Sequence, residues 1–388
     1  MSDLPIAAVI PAAGYASRMG RFKPLLPLGN RRVIDRVVSL YRNTGVTEII
    51  VVTGHRADEL TARLASMGVR FAFNPDHDQG MLSSVTTGVA RLSGSAEATF
   101  VHPADIPLVR PATIRTLMAR CLEAMPRRGR IAYPTFAGRR GHPPLISTTI
   151  LNGVLDWPGE NGLRGYLETH ADAAIDLPVP DAGILMDIDT PADYQAILDR
   201  LDAAAVPTPD EAARMMAIAD VPEAVIRHCR VVTAVAGALA DAAVAAGVPI
   251  DPRLARAAAR VHDIARAQAG RDHANAGAAI MEKWGFPAVA GIVRVHIDID
   301  PDRTGPLTEA EIVYLADKFV EGDRITDPAA RFDRKSAAYR DNPSAAEAIK
   351  RRRDAARIIA EKLTTATGRH PADLLMSINP LADPGDAR

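Results

Sequence analysis

The chain has 388 residues, 47% hydrophobic and 24% charged, with 46 Lys and Arg against 47 Asp and Glu for a formal net charge of −1. That balance suits a soluble globular chain long enough for two domains, and it lacks the electrostatic footprint of a nucleic-acid or anionic-membrane binder. Cys121 and Cys229 stand far apart and outside any metal-type spacing, which excludes a disulfide framework and a zinc ribbon.

The N-terminus MSDLPIAAVIP has no basic segment followed by a long apolar one. No run reaches the ~18 apolar residues of a spanning helix, so the expected compartment is the cytoplasm, with neither membrane nor nucleic acid as partner. From residue 6 to about residue 201, short β-branched runs alternate with amphipathic stretches. Strands are expected at IAAVI (6–10), EIIVV (48–52), VRFAF (69–73) and ATFVH (98–102), and helices at 56–67, 82–92 and 111–125. Parallel strands joined by crossover helices make a three-layer, Rossmann-like α/β domain whose ligands sit beyond the carboxyl ends of the strands. The stretch LDAAAVPTPDE (201–211) reads as a linker. Beyond it apolar residues recur at helical intervals, as at Val225, Val232, Val235 and Leu239, so the second domain is expected to be all-α. The expected organisation is a first domain over 1–202, a linker over 203–211, a helical domain over 212–378 and a tail over 379–388.

Three N-terminal stretches carry chemistry. In PAAGYASRMGRFK (11–23), the small residues Ala12, Ala13 and Gly14 let phosphates approach backbone N–H groups, while Arg18 and Lys23 neutralise the charge. The alternative is a tight turn with two surface cations. In HPADIPLV (102–109), Asp105 follows a strand and is braced by Pro103 and Pro107, where Mg²⁺ is held between protein and substrate phosphates; the alternative is an aspartate in a proline-rich turn. In MDIDTPADY (186–194), Asp187 and Asp189 precede a helix start. There Thr190 serves as N-cap and Asp193 as first-turn acid, or Asp189 supplies a second carboxylate to the same cation.

Together these stretches resemble the molybdenum cofactor cytidylyltransferases, within the GT-A-like nucleotidyltransferases. The resemblance covers roughly residues 5–200 and rests also on NPDHDQGMLSSVTTG (74–88), GHPPLI (141–146) and GENGLR (159–164). It implies that a substrate phosphate attacks the α-phosphorus of a nucleoside triphosphate and pyrophosphate leaves, with Arg18 and Lys23 stabilising the triphosphate and Asp105 and Asp189 holding Mg²⁺. Ala12, Ala13, Gly14, Gly80, Ser83 and Ser84 are implied to lie near the nucleotide, and Gly141 and His142 to border the acceptor pocket. Ala13, where guanylyl-transferring relatives carry glycine, favours CTP over GTP. Ala16 stands where the relatives carry serine, and Ser17 follows it. KPLLPLG (23–29) is shared with sugar-phosphate nucleotidyltransferases, which keeps a sugar phosphate, phosphocholine or a phosphonate open as acceptor beside molybdopterin. Molybdoenzyme apoproteins are implied as onward partners.

The helical half contains RHCRVV (227–232), VHDIARA (261–267), RDHANAGAAI (271–280), VRVHIDID (293–300) and YLADKFV (314–320). One histidine on an apolar helix is commonly a core residue, but adjacent His262 and Asp263 with acids and histidines on other helices form an N/O set suited to Zn²⁺, Mn²⁺ or Fe. This order resembles the HD superfamily of metal-dependent phosphohydrolases over residues 212–330. It implies His228, His262, Asp263 and Asp317 as ligands of one metal, with His273 and His296 available to a second metal or to substrate phosphate, and Asp263 in the catalytic set. Lys318 is read as a phosphate ligand or a solvated surface lysine. Ala265 replaces the usual glycine after the HD pair, and Ile297 stands where many relatives have a second histidine. The expected protein is therefore bifunctional, a CTP-preferring transferase joined to a phosphohydrolase. The competing expectation makes the helical domain a sensor without turnover.

Overall fold

The run Ile6–Pro11 (β1) is buried along its whole length, as a strand covered on both faces must be. The computed structural model describes residues 5–15, 19–124, 129–269, 272–376 and 378, and the chain divides into two units, Met1–Ala204 and Ala205–Arg388. After β1 the first unit continues through α1 (Val33–Arg42), β2 (Glu48–Thr53), α2 (Ala57–Leu64), β3 (Arg70–Phe73), α3 (Met81–Val89), β4 (Ala98–Val101) and α4 (Pro111–Ala124). Then follow β5 (Ile131–Phe136), β6 (Leu145–Ser147), α5 (Gly162–Glu168), β7 (Ala174–Pro178) and α6 (Pro191–Asp202). The strands lie in the order β7-β5-β6-β4-β1-β2-β3.

The four strands marked in the sequence are parallel, as expected, and the sheet as a whole is mixed. β1 is parallel to β2 and β4, but β6 runs antiparallel to both β4 and β5. The reason is local. Ala137 (φ 50°) and Gly138 (φ 75°) turn the chain back on itself after β5, so Arg139 and Arg140 pair with Phe136 and Thr135 and no crossover helix is needed. The first three carboxyl ends that the site uses still point the same way, at β1, β2 and β4.

Helix α3 lies against β1 and β2, and a glycine makes the approach possible. A Cβ on Gly88 would stand 2.4 Å from Val9 Cγ1 and 2.9 Å from Val52 Cγ2. Beyond β4, the fully buried His102 ties three segments together: its Nδ1 accepts from the Tyr41 hydroxyl on α1 at 2.8 Å, and its Nε2–H donates to the Ile106 carbonyl at 2.9 Å. The ring is thereby fixed as one neutral tautomer.

The second unit is helix-rich: α7 (Pro209–Ile218), α8 (Glu223–Ala245), α9 (Pro252–Val261), α10 (His273–Lys283), α11 (Pro287–Val295) and α12 (Glu309–Lys318). A short hairpin of β8 (Val320–Glu321) and β9 (Arg324–Ile325) interrupts the expected all-α pattern, before α13 (Pro328–Ala338), α14 (Pro343–Thr367) and α15 (Pro371–Leu375). The expected linker is shorter than the sequence reading made it. Thr208 accepts from the backbone of Glu211 and Pro209 takes the first helical position, so TPDE is the start of α7. Helix α8 is long and apolar enough to cross a membrane by length and composition, but 61% of its most apolar window is buried inside its own unit. The tail 379–388 lies outside the described residues.

Two stability predictions follow from this packing. Gly88→Val overpacks the contact of α3 with β1 and lowers the unfolding free energy by roughly 1–3 kcal/mol, read by urea denaturation. Burial pushes the His102 pKa from 6.5 to about 3, so the unfolded chain takes up this proton first on acidification. The neutral ring's contribution is complete above pH 6.5 and is lost as pH falls from there toward 3. His102→Gln accordingly flattens the acid limb of stability against pH, by up to ~1.4 kcal/mol per pH unit relative to wild type.

Candidate active sites

At the carboxyl end of β1, Ala12 and Ala13 are buried and pinned to the neighbouring strand. Ala12 N–H donates to the Val52 carbonyl at 2.9 Å, and the Ala13 carbonyl accepts from His55 N–H at 3.0 Å. Gly54 must be glycine here, because a Cβ would meet His77 Cβ at 2.7 Å and Ala13 Cβ at 2.8 Å. Lys23 reaches in from a short 3-10 turn, and its Nζ lies 3.0 Å from Asp105 Oδ2 and 2.7 Å from Asp189 Oδ1. Burial opposes the lysine's charge, but the two carboxylates outweigh it and raise the pKa. Ile188 N–H donates to the Asp105 carbonyl at 3.0 Å, so the segment carrying Asp189 is stitched to the turn carrying Asp105. Thr190 and Asp193 form a capping box at the start of α6, and Asp189 stands beside the lysine as well. The helix-start reading of MDIDTPADY is thus seen in the capping box, and Asp189 shares the Lys23 ammonium with Asp105.

Two cavities open here. The smaller, about 380 Å³, is lined by Ala12, Gly14, Lys23, Gly80, Ser84 and Asp105, among others. The larger, about 1230 Å³, is lined by Asn74, Ser83, Thr86, His142, Trp157 and Arg164, among others. Of the residues expected near the nucleotide, Ser83 lines the larger cavity and the others the smaller, while Gly141 and His142, expected at the acceptor pocket, line the larger. Gly80 (φ +98°) adopts a backbone conformation that side-chain-bearing residues rarely take, at the entry to α3. The buried His142 Nδ1 makes no hydrogen bond, and burial lowers the pKa of its ring. Arg18, Ala16 and Ser17 lie outside the described residues.

Sequence reasoning passed over Asn74. Its buried amide donates to Ser83 Oγ at 2.9 Å and Ser84 Oγ at 3.0 Å, so one side chain sets both serines at the junction of the cavities. Its place at the end of β3, opening NPDHDQG, was the available signal. The convergence of Asp105 and Asp189 on one ammonium fits a cation position built from hard oxygen donors, which suits Mg²⁺.

In the second unit His228 comes from α8, His262 and Asp263 from the end of α9, His273 from the start of α10, His296 from the end of α11 and Asp317 from α12. These six residues meet. The ligand atoms of His228, His262 and Asp317 lie within 4.8 Å of one another, as do those of His262, Asp263 and His296. His228 Nε2 is 3.2 Å from Asp317 Oδ1, and Asp263 Oδ1 is 3.1 Å from His273 Nε2 and 3.4 Å from His296 Nε2.

Each of three imidazoles faces a backbone carbonyl with Nδ1: His228 that of Gly322 at 2.7 Å, His262 that of Ala259 at 2.8 Å and His296 that of Val293 at 2.6 Å. Carbonyls accept only, so Nδ1 carries the proton and the Nε2 lone pairs turn inward. The buried Nε2 atoms of His228 and His262 have no hydrogen-bond partner, a costly state unless something electrophilic takes the lone pairs. That orphaned pair fits a divalent metal with nitrogen and oxygen ligands. Burial holds the His262 pKa down to about 4, so the ring is neutral at physiological pH. Burial alone would raise the Asp263 pKa, yet His262, His273, His296 and Arg266, whose Nη1 is 2.5 Å away, hold the carboxyl far below its usual range. Arg266 was missed in the sequence, although its place three residues after Asp263 was visible.

Lys318 is neither solvated nor aimed at a free anion. It is buried and donates to Asp317 Oδ2 at 2.7 Å and to the His296 carbonyl at 3.1 Å. Cys229 lies with Sγ 3.7 Å from His262 Nδ1, and burial raises its thiol pKa out of the thiolate range.

The two units match known domain families. Residues 8–174 match the model of the MobA-like NTP transferase domain, and residues 225–321 match that of the HD domain. The molybdenum cofactor cytidylyltransferase of Escherichia coli K12 is 31% identical over 196 residues, covering 50% of this chain and 96% of that protein. The nicotine blue oxidoreductase of Paenarthrobacter nicotinovorans is 30% identical over 177 residues, 43% of this chain and 83% of that protein. The crystal structure of Rv0371c from Mycobacterium tuberculosis H37Rv aligns with a TM-score of 0.46 at 26% identity, over 51% of this chain and 100% of that one. This chain belongs to the MobA-like nucleotidyltransferase family, as an enzyme of that class whose transferase unit is followed by an HD domain.

Proposed function

We propose that the first unit transfers a cytidylyl group from CTP to a phosphorylated acceptor, molybdopterin, with release of pyrophosphate. The observation that carries this reading is the convergence of Lys23, Asp105 and Asp189 at the mouth of a small-residue loop. In the step, an acceptor phosphate oxygen forms a bond to the α-phosphorus while the bond from that phosphorus to the bridging oxygen breaks. Asp105 and Asp189 would hold Mg²⁺, which would supply neutralising charge at the triphosphate. Lys23 then turns its ammonium to the phosphates, and the backbone of Ala12, Ala13 and Gly14 lines the nucleotide. Gly80 and Ser84 border the nucleotide, while Ser83 and His142 face the acceptor. His142 offers an unpartnered buried ring nitrogen to that acceptor, in a cavity with room for a bulky heterocycle. The likeness to a protein named molybdenum cofactor cytidylyltransferase supports the choice of acceptor.

We infer that the second unit hydrolyses a phosphoester. His228, His262, Asp263 and Asp317 would hold a divalent metal, Mn²⁺, Fe or Zn²⁺, with His273 and His296 beside Asp263. The metal supplies a bound water of lowered pKa. The orphaned Nε2 atoms of His228 and His262 support the metal assignment.

Purified protein mixed with Mg²⁺, molybdopterin and either nucleotide is expected to release pyrophosphate with CTP and far less with GTP. No CTP-dependent release would overturn the acceptor, and a panel of sugar phosphates, phosphocholine and phosphonates would then locate it. Lys23→Met is expected to lower kcat/KM by roughly 10²- to 10³-fold, on the scale of losing one donor to a transition-state oxyanion. Elemental analysis is expected to find a transition metal in wild type and to lose it in His262→Ala, along with phosphodiesterase turnover. Metal without turnover in wild type would favour a sensor.

A further inference from the structure

The carbonyl that orients His228 is unlike those that orient the other two histidines. His262 and His296 each use a carbonyl three residues back on their own helix. His228 instead reaches out of α8 to Gly322, at the turn of the β8–β9 hairpin. Gly322 is exposed and sits at φ +62°, with open space where a Cβ would stand. The hairpin is held from elsewhere. Arg331, on α13, places Nη1 2.7 Å from the Val320 carbonyl in β8 and 2.6 Å from the Asp317 carbonyl at the end of α12, with the Lys318 carbonyl at 3.3 Å. The last carbonyls of a helix have no partner within it and carry partial negative charge, which a guanidinium answers, here through the single nitrogen Nη1. A second tie joins the hairpin to α8 itself, where Arg227 Nε stands 3.4 Å from Asp323 Oδ2.

One guanidinium therefore pins the backbone of one candidate ligand, Asp317, and the strand leading to the carbonyl that orients another, His228. The two ligands face each other at 3.2 Å. We propose that Arg331 is a positioning residue of the metal centre, acting through the Gly322 carbonyl to keep the His228 proton on Nδ1 and its Nε2 turned toward Asp317. This rests on the reading of the cluster as a metal site. Removal of Arg331 frees the hairpin, and His228 loses the partner that selects its tautomer. Such outer partners of metal-bound histidines are worth about 10- to 100-fold in metal affinity.

The test uses the full chain, stripped with chelator and titrated with Co²⁺, with His262→Ala as the blank that isolates the helical unit's signal. Arg331→Met is expected to weaken Co²⁺ binding about 10- to 100-fold and to alter the visible spectrum at saturating metal. Arg331→Lys, which keeps the charge and one nitrogen donor on a shorter side chain, recovers affinity in part. A merely structural role would lower the melting temperature and leave the saturated spectrum as in wild type. Transfer by the first unit, which Arg331 does not serve, reports that the chain is intact. Should Arg331→Met fail to fold, Gly322→Ala, strained at φ +62°, is expected to shift affinity and spectrum in the same direction. Wild-type affinity and spectrum in the folded variants would overturn the proposal. Absence of any Co²⁺ signal above the blank in wild type would overturn the metal reading beneath it.

Discussion

Carboxylates brought together from distant parts of a chain repel one another and lose hydration, so a fold that gathers them must supply cations at the same point. In the first unit that point is the Lys23 ammonium. It bridges Asp105 and Asp189, which stand 82 and 166 residues further along the chain. The rest of the local structure serves this meeting. The mixed sheet delivers the ends of β1 and β4 side by side, and the Ile188 to Asp105 backbone bond brings the last acid across. The buried His102 holds the turn from behind through the Ile106 carbonyl. A lysine seated between two acids marks where positive charge is needed.

The second unit meets the same constraint with different means. Asp263 is almost wholly buried, and the permanent cation beside it is the Arg266 guanidinium, 2.5 Å from its carboxylate. Asp317 is likewise held low against the effect of burial, by Lys318 and the neighbouring histidines. Arrangements of this kind are costly unless each member is satisfied. The members left over, the Nε2 atoms of His228 and His262, point inward at the place where the acids also converge.

Much of this was legible in the residues themselves. β-Branched runs marked the strands at 48–53 and 98–101 to within a residue, because burial on both faces demands continuous apolar character. The HD pair and the acids before strand-to-helix turns stood out because few other roles place those residue types there. Strands β5, β6 and β7 were not marked. They are short, and their pairing depends on a two-residue reversal at Ala137 and Gly138 whose effect on the sheet is non-local. TPDE was legible as a helix start by its capping pattern and was read as linker because its proline weighed more.

The residues in order were enough to mark the two domain families, since a small-residue loop with basic neighbours and a set of histidines and aspartates are local properties of the chain. Only the tertiary structure decided which groups meet. It set Lys23 between two carboxylates, divided Ser83 from Ser84 between two cavities, and made Lys318 an internal partner of Asp317. It also chose the proton position on each histidine. Hydrogen bonds and ion pairs act over about 3 Å, and a contact of that range between residues 94 positions apart, as between His228 and Gly322, exists only once the chain has folded.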